Sequence, residues 1–196
     1  MSDPLFDPGD DAATPLEPEE RAQLIPTYIT MRAQLNEAEQ INITEADDWA
    51  FARKRDVLSE RFLQNLHKRM FRKVWRWAGT FRTTERNIGV AAYKIGVDLR
   101  TLLDDVRYWI DNATYPPDEI AVRFHHRLVW IHPFPNGNGR HARMAADLLA
   151  IALGCPRFTW GSANLVEAAE TRAEYVAALK AADNHDIEPL LAFARS

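Results

Sequence analysis

The sequence predicts a mainly α domain with one short β-hairpin, and three observations carry that prediction. Apolar residues recur at helical spacing along most of the chain beyond residue 50. β-Branched residues mixed with turn formers are confined to residues 80–95. The third is composition: 196 residues, 46% apolar and 27% charged, suit one globular domain, and at this length roughly two-thirds of the unfolded surface can be buried. Cys155 is the single cysteine, which excludes an internal disulfide. With no secretory signal pattern and no apolar run near ~20 residues, a cytoplasmic protein without membrane association is expected.

Residues 1–17 read as an acidic, disordered leader, broken by Pro4, Pro8 and Pro15 and too polar to pack. Residues 18–48 follow as a helical extension and candidate regulatory segment, and residues 49–196 as the core domain. A helix is predicted over about Ser59–Trp77, because Phe62, Leu66, Met70 and Val74 repeat every fourth position and Gly79 stops it. Thr80 to Ile95, with Asn87 and Gly89 between β-formers, reads as a hairpin or flap. Asp98 is the expected N-cap of a helix whose stripe is Leu99, Leu102, Leu103, Val106, Trp109 and Ile110, ending before Pro116.

Asp118 is the expected N-cap of the next helix, with Ile120, Phe124, Leu128 and Ile131 on one face. A loop from His132 to Gly139 leads into a helix over about Arg140–Leu153 that is apolar on nearly every side, which implies a central, buried position. Helices over about Asn164–Ala182 and Ile187–Ala194 complete the bundle.

The formal charge of -4 conceals an asymmetry. The first twenty residues hold seven acids and no Lys or Arg, so the remainder sets 24 basic residues against 21 acidic ones. Residues 53–100 alone hold 13 basic and four acidic residues. That distribution implies an anionic ligand or partner.

The chemistry concentrates in His132-Pro133-Phe134-Pro135-Asn136-Gly137-Asn138-Gly139-Arg140-His141-Ala142-Arg143. Gly137 and Gly139 allow positive φ just before a helix start, so loop amides and helix dipole together can cradle an anion. Arg140 and Arg143 share a face of the first turn, as suits a polyphosphate. His132 is the one residue of this segment placed at a helix end and able to take a proton near neutral pH. Phosphoryl or nucleotidyl transfer to a hydroxyl is the chemistry these parts suit, although a Gly/Asn-rich link between helices is often only a turn.

At these residues the chain resembles the Fic family, whose motif is His-x-Phe-x-Asp/Glu-Gly-Asn-Gly-Arg-x-x-Arg. The resemblance extends to Trp77-Ala78-Gly79-Thr80-Phe81-Arg82 and to Phe124–Ile131, spanning roughly residues 50–194. Leu24–Thr30 and Leu35–Glu39 are similar to the subgroup called mobile mystery protein B. The resemblance implies a Fic-type helical bundle with a β-hairpin flap, and transfer of AMP from the co-substrate ATP to a Ser, Thr or Tyr hydroxyl of a target protein. It makes His132 the general base and Asn136, Gly137, Asn138, Gly139, Arg140 and Arg143 the nucleotide site. The flap residues Thr83, Thr84, Ile88, Gly89 and Val90 would dock the target. The family's acidic Mg²⁺ ligand is Asn136 here, which removes a charge and should weaken the metal site. In the family, an inhibitory helix carries a glutamate that pairs with the second motif arginine. The nearest match in this chain is Thr30–Asn36, where Gln34 stands at the glutamate position.

Alternatives remain at this level. The site could serve another phosphate-bearing donor, or bind nucleotide with little turnover. A toxin-like module held by an antitoxin-like or regulatory partner is allowed by the resemblance. Residues 67–82 interleave Lys68, Arg69, Arg72, Lys73 and Arg76 with Phe71, Trp75 and Trp77, a pattern that suits nucleic-acid binding, although helical phase turns the aromatics inward. His125, His126 and His132 lack a suitably spaced further ligand for zinc.

Overall fold

A computed structural model of the chain describes residues 16–162 and 168–196. Among these, eight α-helices follow one another: α1 (Pro18–Arg21), α2 (Arg32–Phe51), α3 (Glu60–Phe71), α4 (Ile95–Asp111), α5 (Pro117–Ile131), α6 (Asn138–Ala152), α7 (Ala168–Asp183) and α8 (Glu188–Arg195). A 3₁₀ turn, Ala92–Lys94, leads into α4. Most of the expected leader, and Asn164 at the expected start of the seventh helix, lie outside the described residues. Leu16 is buried and Glu17 begins α1, so the end of the leader is part of the packed structure. The division expected at residue 48 falls inside α2.

The centre is the pair α5 and α6, packed alongside each other, with α4 against α5 and α3 against α6. α6 buries Ala142, Met144, Ala145, Ala146, Leu148, Leu149 and Ala150. Its run of alanines lets neighbouring backbones approach closely. α5 answers with Ile120, Ala121, Phe124, Leu128 and Ile131. The pair presents the loop between them at one end of the bundle.

The helix expected to reach Trp77 stops at Phe71. Trp75 and Trp77 are both buried and stack with centroids 5.0 Å apart. Residues two apart in a helix point to nearly opposite sides, so a continued helix could not bury both in one stack. The chain turns instead, and a single antiparallel bridge forms between Leu24 and Trp75, with Ile25 N donating to Val74 O at 2.8 Å.

No strand forms among the described residues at 80–91, so the flap is not a hairpin ladder. Its ends are gathered by a side chain instead, as shown below. Asp98 is not an N-cap: the 3₁₀ turn runs straight into α4, whose N-cap is Lys94. Asp118 is not one either, because Pro116 caps α5 and Pro117 opens it. The Asp118 carboxylate takes the fork of Arg195 on α8, from Nε at 2.8 Å and Nη2 at 2.5 Å. Phe62 is only half-buried, whereas Leu66, Met70 and Val74 are core.

Four histidines are interior: His67, His125, His132 and His141. Burial lowers the pKa of all four, to about 4 for His132 and His141. Between pH 4 and 6.5 the unfolded chain therefore binds protons that the folded chain refuses, so stability falls as pH drops below 6.5. From pH 7 to pH 5, His132 and His141 should each remove about 2 kcal/mol. Urea unfolding at the two pH values checks this, and an unchanged midpoint contradicts it.

Candidate active site

The site is assembled where α5 ends and α6 begins. His132 is the C-cap of α5 and sits in the left-handed region at φ 54°, ψ 59°. A non-glycine residue is strained there by about 1–2 kcal/mol, so the surroundings must hold it. They do so with backbone and side chain together. Arg82 Nε donates to His132 O at 2.7 Å, and the imidazole hydrogen-bonds the Val129 backbone. Burial, followed by the charge of Arg82, lowers the imidazole pKa to about 4, while the Val129 bond opposes the shift. His132 is thus neutral throughout the physiological range and has a basic nitrogen with which to accept a proton.

The loop is closed by Asn138, whose Oδ1 accepts from Phe134 N at 2.9 Å while its Nδ2 donates to Phe134 O at 2.8 Å. Asn138 therefore braces the loop through its side chain and leaves its backbone amide at the start of α6. Gly137 is the N-cap of α6 at φ 78°. A Cβ there would lie 2.5 Å from the Phe71 ring, so glycine is demanded by both angle and space. The amides of Asn138, Gly139 and Arg140 form the first turn of α6 and have no acceptor within the helix, leaving an anion-binding set on its positive end.

Arg140 and Arg143 follow on that turn. Arg140 Nη1 is paired with Glu39 Oε2 of α2 at 2.7 Å, and its guanidinium lies 5.0 Å from the Phe71 ring. Arg143 is half-buried with its guanidinium 5.2 Å over the Tyr175 ring, and burial lowers its pKa from the usual arginine value. Positive charge at the loop is thus answered within the chain by Glu39, itself 6% exposed and also taking Trp75 Nε1 at 2.7 Å.

Gln34, which stands at the position of the family's inhibitory glutamate, is not at the site. Its Oε1 accepts from Thr30 N at 2.9 Å and Met31 N at 3.1 Å, so Gln34 and Thr30 close the start of α2. Five positions later, Glu39 reaches the motif. The sequence held a signal for it: α2 buries Leu35, Glu39, Asn42, Ala46 and Ala50, one helical face. A carboxylate within such a stripe must meet a cation.

Asn136 is placed in the loop, its Oδ1 accepting from Gly137 N at 2.7 Å and its carbonyl hydrogen-bonded to His67 Nε2 at 3.0 Å. The one candidate metal donor is thus neutral and engaged in its own turn, and no group of three His, Cys, Asp or Glu suits a metal ion among the described residues. As a neutral amide already accepting from Gly137 N, Asn136 is a weaker ligand for Mg²⁺ than an acid would be. His67 was missed as a site residue. It is fully buried, takes Gly79 N on Nδ1 at 3.0 Å, and stacks on Phe134 at 3.7 Å, linking the root of the flap to the motif loop.

Of the flap residues, Thr83, Thr84, Ile88 and Gly89 are exposed and Val90 is buried. A Cβ on Gly89 would come within 2.6 Å of His132 Cβ, so the flap rests against the histidine. Phe71, Trp75 and Trp77 are core residues, which removes the stacking surface from the nucleic-acid reading. His125 contacts Tyr175 Oη at 3.2 Å, and His126 pairs with Asp183, so the two do not converge with His132 on one centre. No helix of the described residues is long and apolar enough to cross a membrane.

Residues 57–150 match the family described as Fic/DOC, and these include the motif, the flap and α3 to α6. The chain carries a Fic domain. The Caenorhabditis elegans protein adenylyltransferase fic-1 is 33% identical over 119 residues, which are 59% of this chain and 22% of that protein. A solved Fic-1 fragment from the same organism superposes with a TM-score of 0.67 at 26% identity, over 90% of this chain and 52% of the other. The N-terminal Fic domain of a Bartonella quintana Bep effector with bound ADP superposes with a TM-score of 0.67 at 17% identity, over 86% of each chain. This last likeness shows the Fic fold. The chain spans less than a quarter of the length of the curated relative.

The geometry at Gly137 yields a test. Gly137→Ala must strain the backbone and displace the Phe71 ring, so a loss of about 1–3 kcal/mol is expected. Thermal melting reads the loss, and isothermal titration should show weakened ADP binding. A variant as stable as the parent contradicts the stated constraint.

Proposed function

We propose that the Fic domain is a protein adenylyltransferase, moving AMP from ATP to a Ser, Thr or Tyr hydroxyl of a target protein in the cytoplasm. The observation that carries this reading is a neutral, backbone-anchored His132 beside the unpaired first-turn amides of α6, with Arg140 and Arg143 on the same turn. In the proposed step His132 takes the hydroxyl proton, the hydroxyl oxygen bonds to the α-phosphorus, and the bond to the bridging oxygen breaks to release pyrophosphate. The amides of Asn138 and Gly139 hold phosphate oxygens, and the two arginines balance the leaving charge. Mg²⁺ enters as a companion of the nucleotide phosphates rather than of a protein carboxylate. The naming of fic-1 as a protein adenylyltransferase supports the chemistry.

Glu39 adds regulation to this reading. It occupies Arg140 from the helical extension, so phosphate and carboxylate compete for one guanidinium. Glu39→Gln should raise nucleotide affinity and transfer several-fold, measured by titration with ADP and by label incorporation. Weaker binding in that variant would show Glu39 to be supportive.

The decisive assay supplies ATP labelled at the α- or the γ-phosphate to the purified chain and lysate. Label from α alone is expected; label from γ alone would mean phosphotransfer, and label from neither would refute both. His132→Ala should abolish incorporation. Because His132 titrates at about 4, transfer should hold level from pH 8 to pH 6, where a histidine with the usual value near ~6.5 would be mostly protonated. Asn136→Asp should lower the magnesium concentration needed for half-maximal transfer, and an unchanged requirement would leave Asn136 without a metal role.

A further inference from the structure

Arg82 is 3% exposed and its guanidinium donates to backbone carbonyls. Nε donates to His132 O at 2.7 Å, Nη1 to Thr84 O at 2.9 Å, and Nη2 to Val90 O and, at 3.5 Å, to Ile131 O. Its own amide donates to Pro133 O at 2.9 Å. Burial lowers its pKa, and Glu85 is the acid that opposes this. A buried guanidinium is costly, and a neutral side chain of similar size would fill the space with less penalty. What the planar fork supplies is direction in several places at once. Here those places are the two arms of the flap, at Thr84 and Val90, and the last residues of α5, at Ile131 and the left-handed His132.

We propose that Arg82 is the positioning residue of the general base, locking the His132 backbone and both arms of the flap into one rigid unit. This rests on the reading of His132 as base. The fork turns a strained C-cap into a fixed one, and Gly89 is then held against the His132 Cβ. Target hydroxyl and base are consequently placed by the same guanidinium, since the flap that would dock the target cannot shift without the backbone of His132. Arg82 itself is buried and engaged by backbone carbonyls, so it acts through His132 and the flap.

Two variants and one measurement on the unaltered chain test the proposal. Arg82→Lys keeps the charge and loses the fork, whereas Arg82→Gln loses both. The charges facing His132 are Arg82 and Arg86, the latter engaged by Glu17 and Glu20 of α1. By NMR, the His132 titration midpoint should stay near the parent's in Arg82→Lys and rise towards the usual histidine value in Arg82→Gln. In both, amides of residues 84–91 should exchange at least about tenfold faster. Transfer should fall about 100-fold in kcat, with the KM for ATP within about threefold. A folded variant with parental flap exchange and a parental midpoint would overturn the proposal. If neither variant folds, hydrogen exchange of the unaltered chain decides: amides at 84–91 and at 131, 132 and 134 should open together, and separate opening would refute the lock. Should the unaltered chain transfer nothing from any nucleotide, the functional reading fails while exchange and titration still judge Arg82.

Discussion

A loop with two glycines and two asparagines between two helices would sample many shapes if the Asn138 carboxamide did not bind both backbone groups of Phe134. That closed ring fixes where α5 stops, where α6 starts, and the direction in which the first-turn amides point. It also buries Phe134 face to face with His67. His67 in turn has one hydrogen-bonding arrangement: Nδ1 accepts from Gly79, so Nε2 carries the hydrogen that it gives to Asn136 O. The root of the flap, the motif loop and the histidine at the helix end are therefore placed by one buried chain of contacts. Both ring nitrogens of His67 and both ends of the Asn138 carboxamide are satisfied in it, which is the condition under which such a network specifies a single geometry.

The electrostatics of the region depend on a scarcity of carboxylates. Arg82 is held by carbonyls, Arg143 lies over an aromatic face, and Glu39 is the acid that reaches the loop, through Arg140. Neutral imidazoles follow first from burial and only then from this positive surplus, His132 feeling Arg82 and Arg86, and His67 feeling His141 and then Arg140. A surface so biased favours an anion with several negative oxygens and keeps the His132 imidazole unprotonated.

Much of this was legible in the sequence. The apolar run after Arg143 announced the central helix, and the glycines before it announced a turn with positive φ at a helix start; the structure has the helix, and Gly137 makes that turn. What failed to show were features set by distant partners. The early end of α3 follows from stacking Trp75 on Trp77 and from the bridge to Leu24, neither of which local periodicity can encode. Asp98 and Asp118 looked like caps because cap preference is local, yet one lies inside a helix extended by a 3₁₀ turn and the other is drawn to Arg195, 77 positions away. The flap has β-forming residues but no neighbouring strand, so its ends are gathered by Arg82 instead of a ladder. His67 gave no sequence signal of its role, because its two partners lie 12 and 69 positions away.

The contact between Glu39 and Arg140 places two demands on one guanidinium. Glu39 is buried, and its carboxylate is satisfied by Arg140 and Trp75 together. If a phosphate drew Arg140 away, Glu39 would keep one neutral donor in a dry environment, a loss that opposes the exchange. α2 cannot simply drift aside to relieve it. Asn42 binds Arg69 O and Lys73 N, and Asp47 takes the fork of Arg157 at 2.5 and 3.1 Å, so the helix is anchored on either side of Glu39's neighbours. Arg143, three positions on, has no such ion pair among the described residues and offers its charge from over the Tyr175 ring. The two arginines therefore differ in availability although they share a helical face. Phosphate oxygens can meet Arg143 and the loop amides at once, and Arg140 only at the expense of the Glu39 pair.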